Sequence, residues 1–240
     1  MKFFRTILYS ITSHEILAYE NYVNNKKVSF ISYFFLFIKA IINLFEFLFR
    51  YIPGPIGIIL RRALYKILCK KVGKGVIIDV GVSFSHPWNI SIDDFAWIDV
   101  YVQIAVPHSE VKIGKRVHIG PFTTIGGRAG VEIQDFVGIS SHVSIFSGSA
   151  TPVHGKRMTG PMLPMKDQAF YNAPVTLERD SVVGTKCVIL PGVTMKQGSV
   201  LGALTTIDRD TIEWGIYKGT PAILSPRRRK KVDENAQTFN

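Results

Sequence analysis

The sequence predicts a parallel β-solenoid of triangular coils, preceded by an apolar and basic helical segment. Three observations carry this. Aliphatic residues recur every six positions in five groups of three: Ile92, Ile98, Ile104; Ile113, Ile119, Ile125; Ile133, Ile139, Ile145; Leu177, Val183, Ile189; and Met195, Leu201, Ile207. Four of the groups open on the same aliphatic-x-aliphatic phrase, at Ile90–Ile92, Val111–Ile113, Val131–Ile133 and Val175–Leu177. Ahead of them, residues 30–49 form an apolar run of about bilayer length. A period of six suits neither a helix nor a two-sided strand. It suits a coil with three flat faces, each hexad supplying one face and one inward side chain.

The coil spacing marks an insertion. Positions 92, 113 and 133 lie 21 and 20 residues apart, and 177 and 195 lie 18 apart, but 133 and 177 are separated by 44. About 24 residues therefore leave the solenoid after Ile145 and return near Pro174. This stretch is rich in Gly and Pro, without the hexad, and a long loop on a rigid scaffold is a common place for function. The organisation read from the chain is thus a helical region at 1–72, a solenoid domain at 73–226 with a loop at about 147–174, and a basic tail at 227–240.

Within the apolar run, Ser32, Lys39, Asn43, Glu46 and Arg50 fall 7, 4, 3 and 4 residues apart, on one helical stripe. A free-standing span disfavours Lys39 near its centre by roughly 2.5–3.5 kcal/mol. A helix lying in the membrane interface, or packed with its stripe inward, accommodates it. Pro53-Gly54-Pro55 ends this helix. A second helix fits 56–71, with Arg62, Lys66 and Lys70 every four residues and Ile59, Ala63, Ile67, Leu60 and Leu64 on the apolar side. That is the pattern of attachment to an anionic membrane surface, the alternative being packing on the domain or on neighbouring subunits.

Composition narrows the function classes. The chain of 240 residues carries a net charge of +11, and 47% of it is apolar, too much for disorder. Residues 1–71 contribute +8 and residues 227–240 contribute +3, so the solenoid is neutral. The charge therefore suits a membrane near the ends better than nucleic acid along the domain, and no nucleic-acid partner is expected. The two cysteines, Cys69 and Cys187, make neither a disulfide scaffold nor a four-cysteine zinc site, which suits a reducing compartment. No metal-ligand spacing is present, and no metal is expected.

Across about residues 76–226 the chain resembles the hexapeptide-repeat acyltransferases, which fold as left-handed parallel β-helices. The resemblance is strongest in the phrases Ile189-Leu190-Pro191-Gly192-Val193, Gly202-Ala203 and Gly219-Thr220-Pro221-Ala222, in this order and spacing. These are similar to the last coils of galactoside-type acetyltransferases. Met158-Thr159-Gly160-Pro161-Met162 and Trp214-Gly215-Ile216-Tyr217 resemble the O-antigen and capsule branch. The resemblance implies acetyl-CoA as co-substrate, a sugar acceptor, a homotrimer with active sites between subunits, and a histidine base at the start of the loop.

That base position falls on Ala150 or Thr151, neither of which accepts a proton at neutral pH. His142 and His154 lie close enough to replace it. His108, at the corner equivalent to the one carrying the loop, and His118, on a flat face, are candidate acceptor contacts together with Met158; a solvated surface histidine is the plainer account of His118. His86 suits capping of the solenoid, and His14 has no chemical role in this scheme. For the donor, the resemblance implies Gly184, Ala203 and Thr205 along the pantetheine arm and Lys186, Arg209 and Lys218 at the phosphates, although tight coil turns favour small residues without any ligand.

Three functions follow as expectations. The first is an acetyl-CoA-dependent O-acetyltransferase acting on a sugar or glycan intermediate of cell-surface polysaccharide synthesis, peripheral to the cytoplasmic face of a bacterial inner membrane, with lipid-linked acceptors included. The second is an N-acyltransferase on a nucleotide-linked amino sugar, since a neutral amine attacks a thioester without a protein base. The third is an inactive scaffold.

Overall fold

The computed structural model describes residues 2–151, 163–220 and 222–225. Three helices come first: α1 (Lys2–Val23), α2 (Phe30–Arg50) and α3 (Gly54–Leu68). Ser29 caps α2 by accepting a hydrogen bond from the Ser32 amide, and Pro55 opens α3, where its missing N–H costs nothing.

The rest is a parallel β-solenoid of about seven coils. Strands from successive coils stack into three sheets, so that Ile90–Ile92, Val111–Ile113, Val131–Ile133 and Val175–Leu177 lie in register on one face. The hexad residues form the core: all fifteen of the aliphatic positions are buried, none more than 1% exposed. Coiling begins before the hexads become regular, with Lys71–Val72 paired to Ser91–Ile92. The coil near 76–86 contributes Ile78 and Phe84 to the same columns.

The corners carry the strain of the coil. Phe95, Arg116, Phe136, Asp180, Tyr101, Phe122, His142, Lys186 and Leu204 all adopt left-handed φ between 54° and 61°, each at a cost of order 1–3 kcal/mol. Two features hold them there. Each corner amide donates to the coil before it, as in Phe122 N to Val100 O at 3.1 Å and His142 N to Pro121 O at 2.8 Å. Side chains also stack up the corner, Tyr101 on Phe122 at 5.3 Å and Phe122 on His142 at 4.9 Å.

The helices close the first coil. Tyr65, Leu68 and Cys69 enter the solenoid core. The fully buried Arg61 donates to Ile78 O at 2.9 Å and to Ile52 O at 2.7 Å, joining α3 to the first coil and to the end of α2. The stripe of α2 turns inward: Ser32 is buried, Lys39 pairs with Glu15, and Glu46 accepts from Tyr65 Oη at 2.7 Å. The opposite face leaves Phe30, Tyr33, Phe34, Phe37, Ile41, Leu44, Phe45 and Leu48 exposed, and Ile56, Ile59 and Ile67 of α3 are exposed as well.

Candidate active site

The loop leaves and rejoins the solenoid through an antiparallel stem, Gly148–Ala150 against Phe170–Asn172. Ala150 and Thr151 belong to that stem and bring no titratable group to it. His154 and Met158 lie outside the described residues, as does the tail from 226.

Beside the stem, along the corner after the third face, α1 covers a cavity of about 380 Å³. The corner supplies His86, His108 and Arg128 from successive coils, the stem supplies Phe170, and α1 supplies Glu15 and Tyr19. The helix is tied down at both ends of this span. Tyr19 Oη donates to Leu163 O at 3.0 Å, and His86 Nε2 lies 3.0 Å from Glu15 Oε2. Ionised carboxylates only accept, so His86 Nε2 carries a proton and donates to Glu15, while His86 Nδ1 lies 3.0 Å from Ser85 Oγ. Burial would raise the Glu15 pKa, but hydrogen bonds from His86 and Lys39 outweigh it and draw the carboxyl down to about 2.

His108 is the open basic group of the cavity. Burial lowers its pKa, and the charges of Arg128 and His86 lower it further, which keeps it neutral at pH 7. Arg128 stacks over the Phe170 ring at 3.5 Å and has no carboxylate partner among the described residues. An aromatic ring, a guanidinium and a neutral imidazole around one opening suit a polar ring carrying hydroxyl, amino or anionic groups.

The other candidates are dispersed. His142 is exposed at its corner, stacked on Phe122. His118 is exposed on the second face beside Trp97, with Nε2 3.4 Å from Asp99 Oδ2, so it has the orienting carboxylate that His142 lacks among the described contacts. On the donor side, a Cβ at Gly184 would meet Ala203 N at 2.6 Å, so close coil stacking by itself demands glycine there. Ala203 and the side chains of Lys186 and Lys218 are exposed, and Arg209 pairs with Asp208 at 3.0 Å. Thr205 is buried with an unpaired Oγ1. Among the described residues no cluster of His, Cys, Asp or Glu is placed to hold a metal ion.

Sequence reasoning picked out His108 but missed Glu15, Arg128 and Phe170. Arg128 was within reach, since it falls one coil after His108 at the same corner. Glu15 carried no signal, because its partner lies 71 residues away.

No protein-family model matches the chain. It is 29% identical over 170 residues to the dTDP-4-amino-4,6-dideoxy-D-glucose acyltransferase of Escherichia coli, covering 71% of this chain and 88% of that protein. It is 23% identical over 177 residues to the putative colanic acid biosynthesis acetyltransferase WcaF of Escherichia coli, covering 70% and 75%. Among solved structures it resembles AntD, an N-acyltransferase from Bacillus cereus in complex with dTDP and 3-hydroxybutyryl-CoA, with a TM-score of 0.68 and 29% identity over 75% of this chain and 94% of that one.

Proposed function

The chain belongs to the hexapeptide-repeat acyltransferases, and from that premise we propose that it moves an acetyl group from acetyl-CoA to a sugar intermediate of cell-surface polysaccharide synthesis, at the cytoplasmic face of the bacterial inner membrane. The observation that carries the membrane part is the inverted polarity of α2. Lys39 and Glu46 of its stripe are partnered inside the protein, and its outward face exposes Phe, Leu, Ile and Tyr side chains. Lys26, Lys27 and Lys66 of the same helical region are exposed, a positive charge complementary to anionic lipid. The helix is long and apolar enough to span a bilayer, but a span would strip Lys39 and Glu46 of the partners that the protein supplies.

The cavity under α1 is the acceptor side of this reading. Acetyl-CoA lies along the later coils, at Gly184 and the exposed Ala203, with Lys186, Arg209 and Lys218 toward its phosphates, and a homotrimer completes the groove; Thr205, wholly buried, offers it no surface. For a hydroxyl acceptor the base is drawn from His108, His142 and His154. His108 is favoured, because it is neutral and lines the cavity. Oxygen attack on the thioester, loss of the hydroxyl proton to the base and departure of CoA as its thiol complete the transfer.

A second reading is favoured by one observation: Ala150 and Thr151 leave the loop start without a base. Its support from likeness is a dTDP-4-amino-4,6-dideoxy-D-glucose acyltransferase and AntD, an N-acyltransferase in complex with dTDP. An amine acceptor then needs only orientation. Thiol release from acetyl-CoA by the purified protein tests both. Release that requires a membrane glycolipid fraction, with an ester in the product, supports the first reading. Release with soluble dTDP-amino sugars and an amide product replaces it with the second. Silence with both acceptors overturns both.

A further inference from the structure

Arg128 is held rigidly on the wall of the cavity under α1, half-buried and one coil after His108 at the same corner. Two features of the loop stem fix its side chain. A Cβ at Gly148 would lie 2.9 Å from Arg128 Cβ and 2.8 Å from its Cδ, so the glycine makes a seat for the aliphatic stalk. Phe170, on the other stem strand, covers one face of the guanidinium at 3.5 Å. We propose that this arginine selects an acceptor sugar bearing a carboxylate, a uronic acid, through paired hydrogen bonds from the edge of its guanidinium. The inference rests on the sugar-transferase reading above and names the acceptor class for its cavity.

The guanidinium has no partner to lose. Among the described residues it donates no hydrogen bond and meets no carboxylate, and none of its nitrogens is shut off from water. Burial lowers its pKa, with no acidic neighbour to offset the effect. A half-buried positive charge without a counter-ion is costly, and an anionic ligand relieves that cost. With the stalk on Gly148 and one face on Phe170, the N–H groups along the edge remain for an acceptor in the guanidinium plane. That fork matches the two oxygens of a carboxylate.

The rest of the lining sharpens the choice. Glu15 is the one carboxylate among its described residues, and hydrogen bonds from Lys39 and His86 already engage both its oxygens. It does not draw Arg128 away, but its charge disfavours a strongly anionic ligand. One guanidinium balances one carboxylate, whereas a phosphate monoester carries about −1.5 to −2. Successive coils lie about 4.8 Å apart, a separation that a single sugar ring bridges. A carboxylate anchored at Arg128 therefore turns a hydroxyl of the same ring toward His108, which is the orientation the transfer needs.

The test is sugar binding to the full-length protein in detergent, read without acetyl-CoA. The probes are glucuronate and galacturonate, their neutral parents glucose and galactose, and glucose 6-phosphate. The better-bound uronate is expected to bind at least about tenfold more tightly than its neutral parent and than glucose 6-phosphate. Arg128→Gln should erase that preference. Arg128→Lys keeps the charge and the stalk but not the fork, and it should retain only part of the preference; thermal unfolding checks that both variants fold. A wild type that binds neither uronate above its neutral parent, or a preference that survives in Arg128→Gln, overturns the proposal. Glucose 6-phosphate bound as tightly as the uronate, and lost in Arg128→Gln, overturns the carboxylate class in favour of a phosphate. Failure of the parent reading shows separately, as wild-type silence in thiol release with every acceptor.

Discussion

Glu15 on the first helix accepts a hydrogen bond at 3.0 Å from His86 at the end of the first coil's third face, and it pairs at the same time with Lys39 on α2. One carboxylate thus joins α1, α2 and the solenoid, and it lines the cavity under α1. Its pKa near 2 makes the junction pH-sensitive with a definite sign. The folded-state value lies below the ordinary carboxylate value of 4.5, so the stabilisation is complete above about pH 5 and is lost as pH falls toward 2. Thermal unfolding followed over that window should show a melting temperature that falls in the wild type and falls less in Glu15→Gln. Because Glu15 is about a third exposed, the loss is modest. Equal slopes in the two proteins would remove Glu15 from the junction.

His108 should govern turnover if the acceptor is a hydroxyl. His108→Ala is expected to lower kcat by roughly 10²–10⁴-fold with little change in the KM for acetyl-CoA. The active form is the neutral imidazole, and burial with Arg128 nearby depresses its pKa. The acidic limb of kcat should therefore have its midpoint below 6.5, and wild-type activity should be full at pH 7. An unchanged kcat in His108→Ala would return the role to His142 or His154.

The solenoid was legible because its information is local and periodic. Ile92, Ile113 and Ile133 repeat the same hexad, and each lies directly over the last. The inward stripe of α2 was legible for the same reason, although Asn43 on that stripe remains exposed. The site was harder to read because it is built across elements. Glu15, His86 and Lys39 meet only after the helices fold back on the first coil, and no spacing in the chain announces that. His86, assigned a capping role from sequence, has a hydrogen-bonding partner on each ring nitrogen and lines the cavity under α1. Arg61 was passed over beside the regularly spaced Arg62, yet Arg61 is the buried one.

Gly57 tests how tightly the helices are seated. A Cβ there would lie 1.8 Å from Ile52 O, a backbone atom at the turn between α2 and α3, and 2.8 Å from the Arg61 guanidinium. Gly57→Ala gains helix propensity but must displace that turn and loosen the Arg61 bonds to Ile52 and Ile78. The net effect should be a destabilisation of about 1–3 kcal/mol, seen as a shift of several degrees in melting temperature. A more stable Gly57→Ala would mean that the α2–α3 turn yields freely.

Membrane attachment can be separated into its apolar and ionic parts. Phe37 is 64% exposed and Phe45 49% exposed on the outward face of α2, and neither makes a described polar contact. Replacing both with Gln, which adds no charge, removes side chains worth about 1.5–3 kcal/mol each when buried, so co-sedimentation with anionic vesicles should fall by more than tenfold at any ionic strength. Replacing Lys27 and Lys66 with Glu should instead weaken binding at low salt by about 1 kcal/mol per lysine lost, with the deficit shrinking as salt screens the surface charge. The two pairs then differ in salt dependence rather than only in size. If the phenylalanine pair leaves vesicle binding intact while the chain changes its oligomeric state, the outward face of α2 packs on another subunit and not on lipid.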